Sequence, residues 1–115
     1  MNFSQSLKSN YDFKIVYNNG KSYANKYLVM YVFENNSNEN RLGISVSKKV
    51  GNSVVRHRIT RLIRESYRLH ENIFNSGLDI VVIARNSASS VGYIEIESAL
   101  LHLAKLHGVI KIFLN

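Results

Sequence analysis

The 115 residues fit one domain, and a hydrophobic fraction of 45% supplies a core, so a disordered chain is excluded. The chain has no cysteine, which excludes disulfides and thiolate chemistry, and no apolar run near the roughly 20 residues of a membrane helix. Fifteen Lys and Arg against eight Asp and Glu leave a net charge of +7, which argues for a polyanionic partner: RNA, DNA or an anionic membrane surface.

Met1 to Asn10 carry no secretory hydrophobic stretch, so the expected location is the cytoplasm. Phe13, Val16 and Tyr17 follow at i, i+3, i+4, which predicts a short amphipathic helix over residues 10–18, stopped by Asn18-Asn19-Gly20. Residues 27–34 alternate as a strand, with Tyr27, Val29, Tyr31 and Phe33 on one face and Leu28, Met30 and Val32 on the other. The polar run Asn35 to Asn40 reads as a hairpin loop into a second strand, 41–48. Leu42, Ile44 and Val46 share one face of that strand; Gly43, Ser45 and Ser47 share the other, leaving space for a backbone to approach. A short extra strand is placed around Ser22-Tyr23.

A turn at Gly51-Asn52 opens a long helix over residues 53–72. Residues 79–84 are almost continuously apolar, the pattern of a strand covered on both faces. A last helix over 92–107 sets Ile96, Ala99, Leu100, Leu103 and Ala104 at core spacing. The tail Val109 to Leu114 is apolar apart from Lys111, and its placement stays open. Together these elements predict an α+β two-layer sandwich.

The long helix carries the functional argument. Advancing ~100° per residue, Val55, Ile59, Leu62, Ile63 and Leu69 fall in one arc of about 120°. His57, Arg58, Arg61, Arg64 and Arg68 fill a similar arc offset from it, while Arg56 lies apart near the edge of the apolar arc and Lys48 and Lys49 precede the helix. Most charged helix faces are merely solvated. Here only Glu65 interrupts a face of one sign, and like charges at i, i+4 disfavour the helix itself. Arginine also suits phosphate, because its planar fork donates two hydrogen bonds to one group.

The stretch from Gly43 to Glu65, GISVSKKVGNSVVRHRITRLIRE, resembles the signature of the bacterial ribonuclease P protein family. In that signature a Ser-Lys-Lys-x-Gly-Asn-x-Val turn leads into a helix with an Arg-Asn-Arg core. Asp12-Phe13, Tyr17, Gly20, Ser22 and Ala24-Asn25 upstream, and Asp79 to Arg85 downstream, also resemble the family pattern. The resemblance implies an α-β-β-β-α-β-α order with a left-handed βαβ crossover, against the usual right-handed rule.

It also implies a subunit of the tRNA 5′-processing endoribonuclease, whose RNA performs the hydrolysis with Mg²⁺. Its RNA partners would be ribonuclease P RNA and precursor tRNA. By this resemblance Lys48, Lys49, Asn52, Arg56, His57, Arg58, Arg61, Arg64 and Arg68 would meet the catalytic RNA. Phe13, Tyr17 and Tyr31, with Ser45 and Ser47 as floor, would form a cleft for the single-stranded 5′ leader. From the residues alone, Phe13 and Tyr17 read better as ordinary packing of a helix on a sheet than as a binding cleft. His57 departs from the family's usual Asn, exchanging an amide for an imidazole, a group that titrates near neutrality. A proline frequent in the Arg85-Asn-Ser-Ala88 segment and a basic C-terminal tail are also missing.

No protein active site is legible. His57, His70, His102 and His107 lack a ligand spacing, Asp79 has no evident carboxylate partner, and no metal ligand is assigned. Three other readings remain: a generic RNA-binding module, an autonomous nuclease, and a membrane-surface helix. The last would need the apolar arc that the core requires.

Overall fold

The computed structural model describes residues 4–111. In chain order its elements are β1 (Ser4–Ser6), α1 (Asn10–Asn19), β2 (Lys21–Ala24), β3 (Leu28–Glu34), β4 (Asn40–Ser45), α2 (Ser53–His70), β5 (Leu78–Ala84) and α3 (Tyr93–His107). Short 3₁₀ turns at Glu71–Ile73 and Asn86–Ala88 flank β5. The five strands form one sheet in the order β1-β4-β5-β3-β2. Helices α2 and α3 layer on one face of that sheet, and α1 is added on the other.

Burial follows the side-chain alternation. Leu28, Met30 and Val32 of β3 lie beside Ala84, Val82 and Ile80 of β5, and all six enter the main core with Ile59, Ile63, Tyr67, Ile96, Leu100 and Leu103. Val81 and Ile83 point the opposite way and meet Leu7, Phe13, Val16, Tyr31 and Phe33 under α1. The apolar run of β5 from Ile80 to Ala84 therefore marks a strand covered on both faces.

The expected hairpin between residues 27–34 and 41–48 is not there. Strands β3 and β4 do not pair; β5 lies between them, antiparallel to β3 and parallel to β4. Their connection must cross two inter-strand spacings, about 9.6 Å, and residues 35–39 do so by wrapping the start of β5. Asn35 N–H donates to Gly77 O (2.9 Å), and Asn35 Nδ2 donates to Asp79 Oδ1 (2.8 Å). Gly77 holds a left-handed φ of 79° there, and a side chain at that position would strike Ser37 O at 2.6 Å. The true hairpin is β2–β3, turned at Asn25, whose Oδ1 accepts the Leu28 N–H (3.1 Å).

The β4–α2–β5 unit is a left-handed crossover. Leu42 presents its side chain to the α2–α3 layer while its carbonyl accepts the Leu7 N–H (2.9 Å) beside β1. For an L-peptide strand viewed from that layer and running upward, β1 is then on the right and β5 on the left.

Other boundaries shift for local reasons. Strand β4 ends at Ser45, because a turn closed by Val50 N–H on Ser47 O (3.1 Å) takes Val46 and Ser47 out of the sheet. Helix α2 buries Ile59, Ile63, Ser66 and Tyr67, whereas Leu69 is 52% exposed. The buried stripe runs toward Tyr67, whose hydroxyl meets Ser4 Oγ at 2.8 Å. Strand β1 is short and polar, without an alternation to read, and adds parallel to β4 at the edge. Of the tail, Val109 is buried, Ile110 bridges Phe74, and Lys111 N–H donates to Ile73 O (2.7 Å). Residues 112–114 lie outside the described residues.

Candidate nucleic-acid interface

Asn52 starts α2 by accepting the Val55 N–H on Oδ1 (3.0 Å), so this predicted contact also serves as the helix cap. With that start fixed, α2 runs beside the end of β4, and a groove of about 630 Å³ opens between them. Ile44, Val46 and Thr60 line it together with Arg56, His57, Arg61 and Arg64. Arg56 Nε donates to Gly51 O (3.2 Å), which draws that side chain toward the turn before the helix.

The cations differ in their engagements. Arg61 and Arg64 are exposed and form no ion pair with another described residue. Lys48 and Lys49 are exposed on the preceding turn. Arg68 donates twice to the Glu65 carboxylate (2.5 and 3.1 Å), which holds that carboxyl below its ordinary range. Arg58 is half-buried and turned away from solvent toward the backbone ahead of α3.

On the α1 face of the sheet, Asn10, Phe13, Lys14, Tyr17, Ile44 and Ser45 line a second groove of about 410 Å³. Tyr17 stands edge-on to Tyr31 with ring centres 5.0 Å apart, and Phe13 is 6.2 Å from Tyr17. Burial raises the Tyr17 hydroxyl above its ordinary pKa, partly offset by hydrogen bonding with Ser45. Tyr31 is half-buried behind Tyr17, and Ser47 falls on the turn after β4, outside this lining.

The space expected at Gly43 is filled from within the protein. The Phe13 ring sits so close that a Cβ on Gly43 would be 2.6 Å from its Cζ. Asn10 and Lys14 escaped the sequence reading although they share a helical stripe with Phe13 and Tyr17. Charge and polarity hid them from a search for apolar periodicity.

The remaining polar clusters have structural partners. Asp79 is 1% exposed and accepts Arg41 Nε (2.9 Å) and Nη2 (2.6 Å) as well as Asn35. His107 Nε2 bonds Met30 O, His70 Nδ1 bonds Ser66 O, and His102 Nδ1 meets Asn25 Nδ2 (2.9, 2.9 and 3.1 Å). Among the described residues no group of three His, Asp or Glu is arranged to hold a metal ion. No described helix is long and apolar enough to cross a membrane.

An α+β fold whose arginine helix presents Arg61 and Arg64 without an ion pair among the described residues, beside an aromatic groove, defines a small basic protein suited to nucleic acid. The ribonuclease P family model matches residues 1–107. The ribonuclease P protein component of Lachnoclostridium phytofermentans is 68% identical over 108 residues, covering 94% of this chain and 93% of that one. The same component of Alkaliphilus metalliredigens is 53% identical over 105 residues, covering 91% and 95%. The solved RNase P protein of Staphylococcus aureus superposes with a TM-score of 0.86 at 39% identity, covering 94% of this chain and 99% of the other. The chain belongs to the ribonuclease P protein family: it is the protein subunit of the tRNA 5′-processing endoribonuclease, and its partners are RNA.

Proposed function

We propose that α2 and the turn before it dock on ribonuclease P RNA, and that the Phe13–Tyr17 groove receives the single-stranded 5′ leader of precursor tRNA. The observation that carries this reading is adjacency. Ile44 lines both grooves, so the basic groove and the aromatic groove meet at the end of β4. A nucleic acid held on one is delivered to the edge of the other.

Each groove supplies the chemistry its ligand needs. Lys48, Lys49, Arg56, Arg61, Arg64 and Arg68, with His57 and Asn52 among them, offset phosphate charge where folded RNA approaches. A single strand instead needs aromatic faces and a cation along its backbone, which Phe13, Tyr17 and Lys14 provide, with Tyr31 supporting Tyr17. Ser45 borders the groove as a small polar side chain, while Ser47 sits at its end. The hydrolytic step belongs to the RNA subunit with Mg²⁺, and no residue of this chain is assigned as a metal ligand. The protein acts in the cytoplasm, where precursor tRNA is made.

Replacing Phe13 and Tyr31 together by Ala tests the leader groove. Each stacked base is worth roughly 1–3 kcal/mol, so precursor tRNA should bind the reconstituted holoenzyme about tenfold more weakly or worse. Mature tRNA and ribonuclease P RNA should bind as before. Equal weakening for precursor and mature tRNA would reject the groove as the leader site.

A further inference from the structure

We infer that Arg58 is a positioning residue, locking α2 to the linker that leads into α3, and is not itself a phosphate ligand. The inference rests on the reading of α2 as the RNA-facing helix. By sequence Arg58 is one of a row of equivalent cations. In the structure it is set apart: Nη1 donates to Val91 O and Nη2 donates to Ser89 O, both at 2.8 Å. Two carbonyls two residues apart are thus held by one planar fork, a donor from each of its two terminal nitrogens.

The linker has reason to need that hold. Residues 85–92 contain no proline to restrict the backbone. Gly92, which starts α3, has no capping side chain; only the Glu95 carboxylate returns to its N–H (3.0 Å). The linker's first half is tied to the β2–β3 turn by Arg85 Nη1 on Asn25 O (2.7 Å) and by the Ser87 hydroxyl on Lys26 O. Its second half, Ser89 to Val91, is tied to α2 by Arg58. Ala88 is fully buried between the two ties.

Arg58 therefore joins the RNA-facing helix to the second half of the linker, whose first half Arg85 and Ser87 tie to the β2–β3 turn. To reach a phosphate with the same donors it would have to release both carbonyls. Arg61, three residues along, is exposed and forms no ion pair with another described residue, and supplies the contrasting case.

The test uses the full chain, a bacterial ribonuclease P RNA and a series of KCl concentrations. Each phosphate contact removed lowers the slope of log affinity against log salt by about 0.7–0.9. Arg61→Gln should show that drop. Arg58→Gln should weaken binding at least threefold with an unchanged slope, and amide exchange across residues 89–96 should accelerate. Arg58→Lys keeps the charge but replaces the pre-organised planar fork by a single flexible nitrogen, so it should behave as Arg58→Gln does; it also serves if the Gln variant fails to fold. A slope drop in Arg58→Gln matching that of Arg61→Gln, with Arg58→Lys restoring affinity, would overturn the inference. A flat slope for Arg61→Gln would instead overturn the α2 reading on which it rests.

Discussion

Asp79 and His107 show how single residues that resemble catalytic groups are held by the fold. Asp79 accepts three hydrogen bonds from Arg41 and Asn35, and so pins the β3–β4 connection across the start of β5. Burial in turn pushes the Arg41 guanidinium no lower, because its bonds to Asp79 raise its pKa. His107 is half-buried between Tyr23 and β3 and hydrogen bonds Met30 O. Burial lowers its pKa in the fold, with the carbonyl bond opposing and Lys21 adding to the shift. A depressed folded value means that the unfolded chain binds the extra proton more readily. Stability is therefore fully present above the ordinary histidine range, near 6.5, and is lost as pH falls through it toward the folded value. We expect the denaturation midpoint of the wild type to fall between about pH 7 and pH 5.5 more steeply than that of His107→Gln. Parallel profiles would show that His107 contributes nothing to this pH dependence.

At the scale of elements, α1 is seated by the absence of a side chain at Gly43, whose place the Phe13 ring fills. Gly43→Ala should expel that ring. Precursor tRNA should then bind about as weakly as it does to the Phe13 and Tyr31 variant, with ribonuclease P RNA binding kept. Unchanged discrimination between precursor and mature tRNA would mean that the ring position does not matter. Here the sequence was informative in an uneven way. Helices α2 and α3 and strand β5 were legible because their periodicity is strong and their faces are buried. The pairing partners of β3 were not, because alternation places a side chain on a face but says nothing of which strand lies beside it. Leu69 was misplaced for a related reason. The helical wheel identified an apolar arc, but the packing of α2 against α3 and β4 favoured Tyr67, an amphipathic residue whose hydroxyl is satisfied by Ser4 of β1. The 3₁₀ turn at Glu71–Ile73 likewise shortened a helix whose pattern continued in sequence.

For the whole molecule, the decisive arrangement is the meeting of two grooves at Ile44, which no one segment encodes. The arginine row and the Phe13–Tyr17 pair lie some forty residues apart in sequence and on opposite faces of the sheet. The crossover from β4 through α2 to β5 brings the row beside the end of the strand that floors the aromatic groove. Residue types announced a polyanion; the fold leaves Arg61 and Arg64 without an ion pair among the described residues and gives Arg58 and Arg68 partners within the protein. Arg58 is held by tertiary contacts with Ser89 and Val91, whereas Arg68 is held locally by Glu65 one turn back on its own helix.

The central claim is that this chain assists an RNA catalyst in removing tRNA leaders. Cleavage of a 5′-extended precursor tRNA at low Mg²⁺, with the protein alone, a bacterial ribonuclease P RNA alone, and the two together, tests it most directly. The account predicts efficient cleavage at the mature 5′ end only in the mixture. Cleavage by the RNA that the protein leaves unchanged, or cleavage by protein rigorously freed of RNA, would contradict it.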